Sequence, residues 1–305
     1  EQINSKGGIN GRPLKLIVRI AAGSWGAGSR EVVDLVFKDK VEVILGAIHG
    51  QDSHLAEQVI AKTQVVYLSS WASDATLSKA YVPWFFSLVP TDDQQAIMLL
   101  EDLLDLNYLK DIVVLHDGSY DAEQALKSLK STSKEFIDCR ISELSTMSLK
   151  SMGLLDSIEQ LKPDVILVMG STVPVSTIQQ QLEGSKNEVP VYMHLSAQST
   201  LDFSQQKRFI SNHWRPLFSP DFLDSEFVDF QDSYKNACKR TPDALAVFVY
   251  DGIMMISKAM MTSQRQSLSL QKSMLEIKYQ GLTGVIDFDS LGRRKSTGKP
   301  PIIRE

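Results

Sequence analysis

Short apolar runs alternate with amphipathic stretches along most of the chain. The runs are rich in Val, Ile and Leu and lack a polar alternation, which is typical of parallel strands covered on both faces. Five of them predict strands at 14–18, 43–46, 65–68, 112–115 and 165–169. Because helical periodicity follows most of these runs, the pattern predicts an α/β fold with parallel sheets and right-handed crossovers.

The amphipathic stretches predict helices at 29–37, 94–106, 122–129 and 151–161. A helix buries residues spaced three and four apart, so its apolar positions identify the face that packs. The side chains expected on buried faces are Val32, Val33, Val36 and Phe37 in the first helix and Ile97, Leu100, Leu103 and Leu104 in the second. Asp92 or Asp93 is expected to cap the second helix.

The regular spacing breaks twice, near 85–90 and near 209–214, where strand-like runs end in proline. Two long helical stretches follow at 224–240 and 242–261. No low-complexity linker separates these regions. The chain is therefore expected to form two lobes joined by several short crossings.

Composition narrows the class of protein. With 305 residues, of which 43% are apolar, the chain has room for about two domains. A net charge of -5 argues against a nucleic-acid binder, which needs a basic footprint. No run of about 18 apolar residues predicts a membrane span. Cys139 and Cys238 are too few for a disulfide framework or a zinc knuckle, and we expect two buried free thiols.

Three groups of residues suggest a nucleotide-binding, metal or catalytic site, but each fits such a site poorly. Gly23, Gly26 and Gly28 lack the spacing of a dinucleotide-binding loop and favour an ordinary strand-to-helix turn. His49 and His54, with Asp52 between them, lack the spacing of a zinc pair.

The third constellation is the pair His116 and Asp117, which directly follows a predicted strand. Polar residues at the carboxyl end of a parallel strand bind a ligand more often than they catalyse. No G-x-S-x-G elbow or Cys–His nucleophile is present in the sequence. We therefore expect no catalytic residue, no metal and no cofactor.

Small polar residues follow one predicted strand after another, at 49–53, 69–73, 116–120, 170–172 and 193–196. Ligands of open α/β sheets bind outside the carboxyl ends of the strands. Any one of these loops is equally explained as a helix N-cap, since Ser, Thr and Asp favour that position. The five loops together, with Trp71 and Tyr120, predict a ligand cleft.

Several motifs resemble type I periplasmic binding proteins of the leucine/isoleucine/valine-binding branch. The segment NSKGGINGRPL at 4–14 is similar to the family's NAKGGINGRKL, and LSSWAS at 68–73 is similar to ISPSAT. FFSLVPTDDQQ at 85–95 is similar to FRTVPSDAQQ, and GLTGVIDFD at 281–289 resembles the family's C-terminal motif. The motifs run from end to end of the chain in the family's order.

The resemblance implies two doubly wound parallel-sheet lobes joined by three crossings, with the ligand in the cleft. The implied N-terminal lobe is 1–90 plus 215–283, and the implied C-terminal lobe is 91–214 plus 284–305. Residues near 90, 214 and 286 would then lie side by side as the crossing strands. The family's usual first strand and helix precede its signature and are not part of this sequence.

The resemblance also implies ligand contacts at eight positions: Gly50, Gln51, Trp71, Ser73, Tyr120, Ser171, Thr172 and Ser196. The family's amino-acid binders place an acidic residue near the last of these to pair with the ligand's ammonium. Here the segment reads His194-Leu195-Ser196, and a buried ammonium without a counter-charge is costly. An uncharged or anionic ligand is therefore expected over a zwitterion.

The implied function is an extracytoplasmic solute-binding protein, periplasmic or extracellular, that delivers a small amino-acid-like or carboxylate ligand to the membrane subunits of an ABC importer. No nucleic acid, membrane span or enzymatic activity is expected. The chain opens on Glu1 without an initiator Met, so a missing signal peptide does not indicate the cytoplasm. Two alternatives share the fold: a ligand-sensing domain of a receptor or regulator, and an enzyme such as a transferase.

Overall fold

The computed structural model describes residues 2–21, 27–46, 48–105, 111–136, 139–146, 153–184, 189–199, 201, 214–217 and 225–295. Eleven α-helices occur in these ranges: α1 Gln2–Ser5, α2 Ala27–Phe37, α3 Gly50–Thr63, α4 Ala75–Lys79, α5 Asp92–Asp105, α6 Tyr120–Phe136, α7 Leu154–Leu161, α8 Val175–Gly184, α9 Ser225–Cys238, α10 Ala244–Gln266 and α11 Leu270–Glu276.

Ten strands accompany these helices in the same ranges: β1 Val43–Gly46, β2 Val66–Ser69, β3 Phe85–Ser87, β4 Asp111–His116, β5 Arg140–Ser145, β6 Val165–Met169, β7 Val191–Met193, β8 Trp214–Pro216, β9 Tyr279–Gly281 and β10 Gly284–Ile286. A 3₁₀ turn, Leu195–Gln198, follows β7. The predicted strands at 43–46, 65–68, 112–115 and 165–169 are thus confirmed to within a few residues.

The chain divides into two compact units. The first contains residues 1–72, 76–90 and 246–295, and the second contains 73–75, 91–245 and 296–305. This division assigns 215–245 to the second unit and 284–295 to the first, where the sequence-based lobe boundaries have them in the opposite units. The short segment 73–75 therefore groups with the second unit although the chain around it belongs to the first.

The first unit is built on a parallel sheet in the order β1-β2-β3. One face packs on α2 and α3 through a cluster that includes Ile44, Ile60, Tyr67 and Phe85. On α10, Gly252 approaches the sheet closely, because a Cβ there would lie 3.0 Å from the Leu45 side chain. The β9–β10 hairpin is antiparallel and belongs to the same unit.

The second unit is built on a five-stranded parallel sheet in the order β5-β4-β6-β7-β8. Both faces are covered, because alternate residues of β4 and β6 enter two different apolar clusters: Val113 and Ile166 on one side, Val114 and Leu167 on the other. Continuous burial of this kind explains why the strands read as unbroken apolar runs.

The predicted strand at 14–18 is wrong. Residues 13–21 form no ladder, and Leu16 and Val18 are 71% and 70% exposed. An apolar run specifies a strand only when a neighbouring strand supplies hydrogen-bond partners, and the described residues provide none here. The sequence also missed β5, whose partly exposed residues at the sheet edge lack an apolar run.

Two predicted helix faces are corrected in part. Val33 and Phe37 of α2 are exposed, as are Ile97 and Leu104 of α5. The buried face of α5 is formed by Ala96, Leu99, Leu100 and Leu103. These helices cover their sheets over a narrower stripe than the apolar pattern suggests.

The cap of α5 is Thr91, where Asp92 or Asp93 was expected. Its hydroxyl accepts from the Gln94 N–H at 3.3 Å, and the Gln94 side chain accepts from the Thr91 N–H at 2.8 Å. This reciprocal pair is a capping box. Asp92 is therefore the first residue of the helix and not its cap.

The crossing expected near residue 214 stays a prediction. Residues 209–213 lie outside the described ranges, and β8, which begins at Trp214, pairs with β7 inside the sheet of the second unit. Ser87 bridges to Arg293 in the first unit.

Both cysteines are free thiols, but Cys139 is half-buried and Cys238 is exposed, so the expected burial is wrong.

One described helix, α10, is long and apolar enough to cross a membrane by length and composition. A helix in the core of a protein can have the same length and composition. In α10, 56% of the 18-residue apolar segment is buried inside the protein.

Candidate functional site

Asp117 joins the carboxyl ends of two strands in the second unit. It follows β4 and accepts hydrogen bonds from the Thr172 backbone N–H at 2.8 Å and from the Thr172 hydroxyl at 2.7 Å. It also accepts from the Ser119 N–H at 3.0 Å. Burial works to raise the pKa of Asp117, but the hydrogen bonds from Ser119 and Thr172 outweigh burial and hold it below the usual value.

Gly170 makes this approach of the two loops possible. Its φ of 114° is unfavourable for other residues, and a Cβ at this position would lie 2.2 Å from Asp117 Oδ1. The loop after β6 can therefore pack directly on the Asp117 carboxylate. A glycine at the end of this strand is required by both its conformation and its neighbour.

Tyr120 and Asp74 form a second link in the same unit. Tyr120 is the first residue of α6, and its hydroxyl donates to Asp74 Oδ2 at 3.0 Å. Asp74 is buried in the segment 73–75. Burial and the Asp74 charge raise the pKa of Tyr120 well above its usual value, so the phenol stays protonated and remains the donor.

A third group connects Ser196 to the start of α5. Ser196 Oγ accepts from the Gly170 N–H at 2.9 Å and lies 2.8 Å from His194 Nδ1. His194 Nδ1 also accepts from the Ser196 N–H, so we assign the ring proton to Nε2, which lies 3.3 Å from Asp92 Oδ1. Burial raises the pKa of Asp92 and outweighs the neighbouring His194 and Ser73 side chains, which lower it.

These links bring together four residues that the sequence proposed as ligand contacts. Ser73, Tyr120, Thr172 and Ser196 contact Asp92, Asp74, Asp117 and His194, respectively, all in the second unit. Ser171 is half-buried beside Thr172. Thr172 is exposed, Tyr120 is 36% exposed and Ser196 is buried. The carboxyl edge of the five-stranded sheet therefore carries a connected polar surface.

The remaining three candidates lie in the first unit. Gly50 and Gln51 form the start of α3, where Gly50 is buried and Gln51 is exposed. Trp71 is only 4% exposed, and its ring packs edge-on against Phe248 at a centroid distance of 5.6 Å. The tryptophan is thus part of the core of this unit.

Sequence reasoning named Asp117 but missed Asp74 and Asp92, the other two acidic residues of the site. Asp92 lies 3.3 Å from His194, so the expectation that no carboxylate approaches the Ser196 loop is wrong. Asp92 precedes His194 by 102 residues in the sequence, and no local spacing could reveal their contact. Two features of the sequence could have pointed to these residues. Asp74 directly follows Ser73, and Asp92 comes two residues after Pro90, which follows β3.

The other candidate motifs have structural partners or lie outside the described residues. His54 contacts Thr76 Oγ1 at 3.1 Å and Glu57 Oε2 at 3.2 Å. Within the described ranges no group of three or more His, Cys, Asp or Glu side chains is placed to hold a metal ion. His116 Nδ1 accepts from the Gly118 N–H at 3.2 Å. Gly23 and Gly26 fall outside the described residues, whereas Gly28 lies in α2.

The sequence matches the family model described as periplasmic binding protein over residues 1–298. The chain belongs to this family. It has the type I periplasmic binding protein fold, as the two units with parallel sheets and flanking helices indicate. No curated protein matches the chain in sequence.

Solved structures share the fold at low identity. An ABC transporter substrate-binding protein from Desulfitobacterium hafniense is 18% identical with a TM-score of 0.77, and the match covers 97% of this chain and 88% of that one. The branched-chain amino acid transporter substrate-binding protein LivJ from Streptococcus pneumoniae, solved with isoleucine, is 18% identical with a TM-score of 0.75, covering 96% and 85%.

A solute-binding protein of an ABC transporter from R. palustris, solved with benzoate, is 13% identical with a TM-score of 0.75. That match covers 95% of this chain and 82% of the other. The similar structures thus include binders of an amino acid and of an aromatic carboxylate.

Proposed function

We propose that this protein is the solute-binding component of an ABC importer that works outside the cytoplasm, in the periplasm or at the cell exterior. It captures one small amino-acid-like or carboxylate ligand and delivers it to the membrane subunits of the transporter. It is not an enzyme and needs no metal or cofactor. Neither nucleic acid nor a membrane span of its own takes part.

The observation that carries the proposal is the connected polar edge of the second unit. Four loops that are distant in sequence contribute Ser73, Tyr120, Thr172 and Ser196, joined through three aspartates and His194. This edge lies at the carboxyl ends of parallel strands, where open α/β sheets bind ligands. The family match supports ligand binding as the use of this edge.

We propose that closure of the two units around the ligand is the working motion. Gly50 and Gln51 would supply contacts from the first unit, and Ser73, Tyr120, Ser171, Thr172 and Ser196 from the second. Trp71 supports the first-unit loop from behind, because its ring is buried against Phe248. A ligand favours the closed state only by the difference in its contacts with the two states.

The test is a thermal-unfolding and calorimetry screen with L-isoleucine, other amino acids, benzoate and small carboxylates. A ligand at 100 times its Kd stabilises the folded protein by about 2.7 kcal/mol, which a thermal scan resolves easily. We expect at least one member of the panel to bind in a one-to-one ratio.

Small-angle scattering with and without that ligand measures closure, which should reduce the radius of gyration. Absence of binding by every amino acid and carboxylate tested would contradict the proposed ligand class. Turnover of a bound ligand into a new product would contradict the non-enzymatic role.

A further inference from the structure

A cavity of about 520 Å³ lies beside the sheet of the first unit, and all of its lining belongs to that unit. Residues 14–17 form one wall, and Val43–Leu45 of β1 form the other. Within the described residues β1 pairs with β2 alone, so its second edge is open towards this space. We call this space the edge cavity. Its two faces are lined by Leu35 of α2 and by Ile253, Ile256 and Met260 of α10.

The backbone of the first wall has the open hydrogen-bonding groups of an unpaired strand. Within the described part of the chain, residues 15–18 make no backbone hydrogen bond to another segment. At Leu14 the side chain of Asn4 accepts from the N–H at 2.8 Å and donates to the carbonyl at 2.9 Å. An amide side chain thus makes the bonds that the backbone of a neighbouring strand makes elsewhere. The edge cavity therefore has backbone partners to offer on both walls.

Both walls are fixed, so the edge cavity is not a loose loop. Asn4 holds the first wall at Leu14. Beyond its other end, Arg19 donates from Nε to Asp39 at 2.6 Å and lies 3.2 Å from Glu31 of α2. The second wall is held by the ladder between β1 and β2. Since protein interiors are close-packed, a fixed apolar space of this size indicates a place for further chain.

The lining defines the chemistry of the occupant. Helices α2 and α10 present aliphatic side chains on the two faces, and a strand covered on both faces is a continuous run of Val, Ile and Leu. Walls of three and four residues fit a strand of ordinary length, about five or six residues. Proline is disfavoured inside it, because each wall needs backbone N–H donors.

We propose that one further β-strand fills the edge cavity between β1 and residues 14–17, and that the residues preceding α1 in the polypeptide supply it. Ile3 and Asn4 of α1 belong to the lining, so chain ahead of α1 is tethered beside the cavity. A tethered strand pairs at high effective concentration, whereas a separate peptide or a second copy pays the full cost of association. The apolar run at 14–18 then gains the neighbour that it lacks in the described residues.

The first test compares the 305-residue chain with the same chain extended by the residues that its gene encodes before Glu1. Hydrogen exchange read by mass spectrometry reports on residues 15–18 and 43–46. Their amides should exchange at least about tenfold more slowly in the extended chain, because a strand pairs with both segments. The Tm should rise by about 5 °C or more, as expected for burial of several apolar side chains.

A variant of the lining tests whether the cavity is filled even where the shorter chain does not fold. Ile17 is half-buried in the first wall. In the extended chain, Ile17→Asp should lower the Tm by about 5 °C or more beyond the change in Val285→Asp, because only the first carboxylate would lie against a buried strand. Val285 is 37% exposed on β10 and is outside the cavity lining, which makes it the matched control.

Three results would overturn the proposal. One is unchanged exchange of residues 43–46 in the extended chain. Another is an equal Tm shift for Ile17→Asp and Val285→Asp in that chain. The third is a mature protein, purified from its own cells, whose N-terminal residue is Glu1 by mass spectrometry. None of these results bears on the proposed solute-binding role.

Discussion

Among single residues, burial separates side chains that hold the fold from those that can meet a ligand. Trp71 follows β2 in a polar loop, yet its ring lies against Phe248 and is 4% exposed. We expect Trp71→Ala to lower the free energy of unfolding by about 3–5 kcal/mol, because it leaves a cavity in the first unit.

Urea denaturation measures this loss, and Phe37→Ala on the exposed end of α2 is the control, expected to stay within about 0.5 kcal/mol. Unchanged stability of Trp71→Ala together with weaker ligand binding would show instead that the ring is a ligand contact.

The aspartates at the sheet edge should give opposite pH dependences. The pKa of Asp117 is lowered by its hydrogen bonds from Ser119 and Thr172, despite burial, so its contribution to stability is complete above the ordinary Asp value of 3.8 and is lost as the pH falls through the lowered pKa. We expect the stability difference between wild type and Asp117→Asn to be constant above about pH 5 and to shrink in acid, as measured by urea titrations at several pH values.

Asp92 provides the matching case of opposite sign. Burial raises its pKa, so the ionised carboxylate costs stability above that pKa and the cost disappears as the pH falls towards 3.8. The free energy of unfolding of Asp92→Asn, relative to wild type, should therefore be highest at high pH and should decrease on acidification. The same slope for both variants would show that the hydrogen bonds of Asp117 do not set its titration.

At the scale of elements, Thr91 fixes where α5 begins and hence where Asp92 and Gln95 lie. Gln95 accepts from the Leu195 N–H at 2.9 Å, so the first turn of α5 holds the Ser196 loop. Thr91→Ala should cost about 1 kcal/mol of unfolding free energy, since it removes one half of the capping box. Thr177→Ala on the surface of α8 is the comparison in the same denaturation experiment, and an equal loss there would exclude a capping effect.

How much of each element could be predicted depended on how far it is buried. The strands β2, β4 and β6 are covered on both faces, so their apolar runs were sufficient. The run at 14–18 has similar composition but no ladder, and β5 has a ladder but little apolar pattern. The composition of a segment indicates how far it is buried. Strand pairing depends instead on which neighbouring strands the rest of the chain supplies.

The loops of the site could be predicted from the sequence, but two of its three aspartates could not. Tyr120, Thr172 and Ser196 follow strands, so topology alone placed them at the carboxyl edge. Asp74 and Asp92 enter from segments that follow β2 and β3 of the other unit, and only the folded chain brings them there. This is why the sequence analysis named Asp117 but not Asp74 or Asp92, which the structure places at the same edge.

For the whole molecule, each of the two units has its own anchoring network. In the first, Arg294 is buried and donates to the Thr283 carbonyl at 2.5 Å and to the Val285 carbonyl at 3.0 Å. Asp251 of α10 accepts from the Thr283 hydroxyl at 2.7 Å. Burial lowers the pKa of Arg294 to about 10, which the Asp251 charge opposes, so the guanidinium stays charged at neutral pH. In the second unit, Gly170 and Asp117 join β4 to β6.

These anchors allow the independence of the units to be measured by amide hydrogen exchange. Arg294→Met leaves buried carbonyls and Asp251 without their charged neighbour and should cost about 3–5 kcal/mol, accelerating exchange in β2 while β6 stays protected. Gly170→Ala forces a Cβ to within 2.2 Å of Asp117 Oδ1 and should accelerate exchange in β6 and not in β2. Gly184→Ala, at the open end of α8 with no atom within 4 Å of the new Cβ, should accelerate neither. A separate hydrophobic core in each unit is the reason to expect this split. Equal acceleration of both sheets by either variant would mean that the ligand-free protein unfolds as one cooperative body, and that a ligand is not needed to couple its halves.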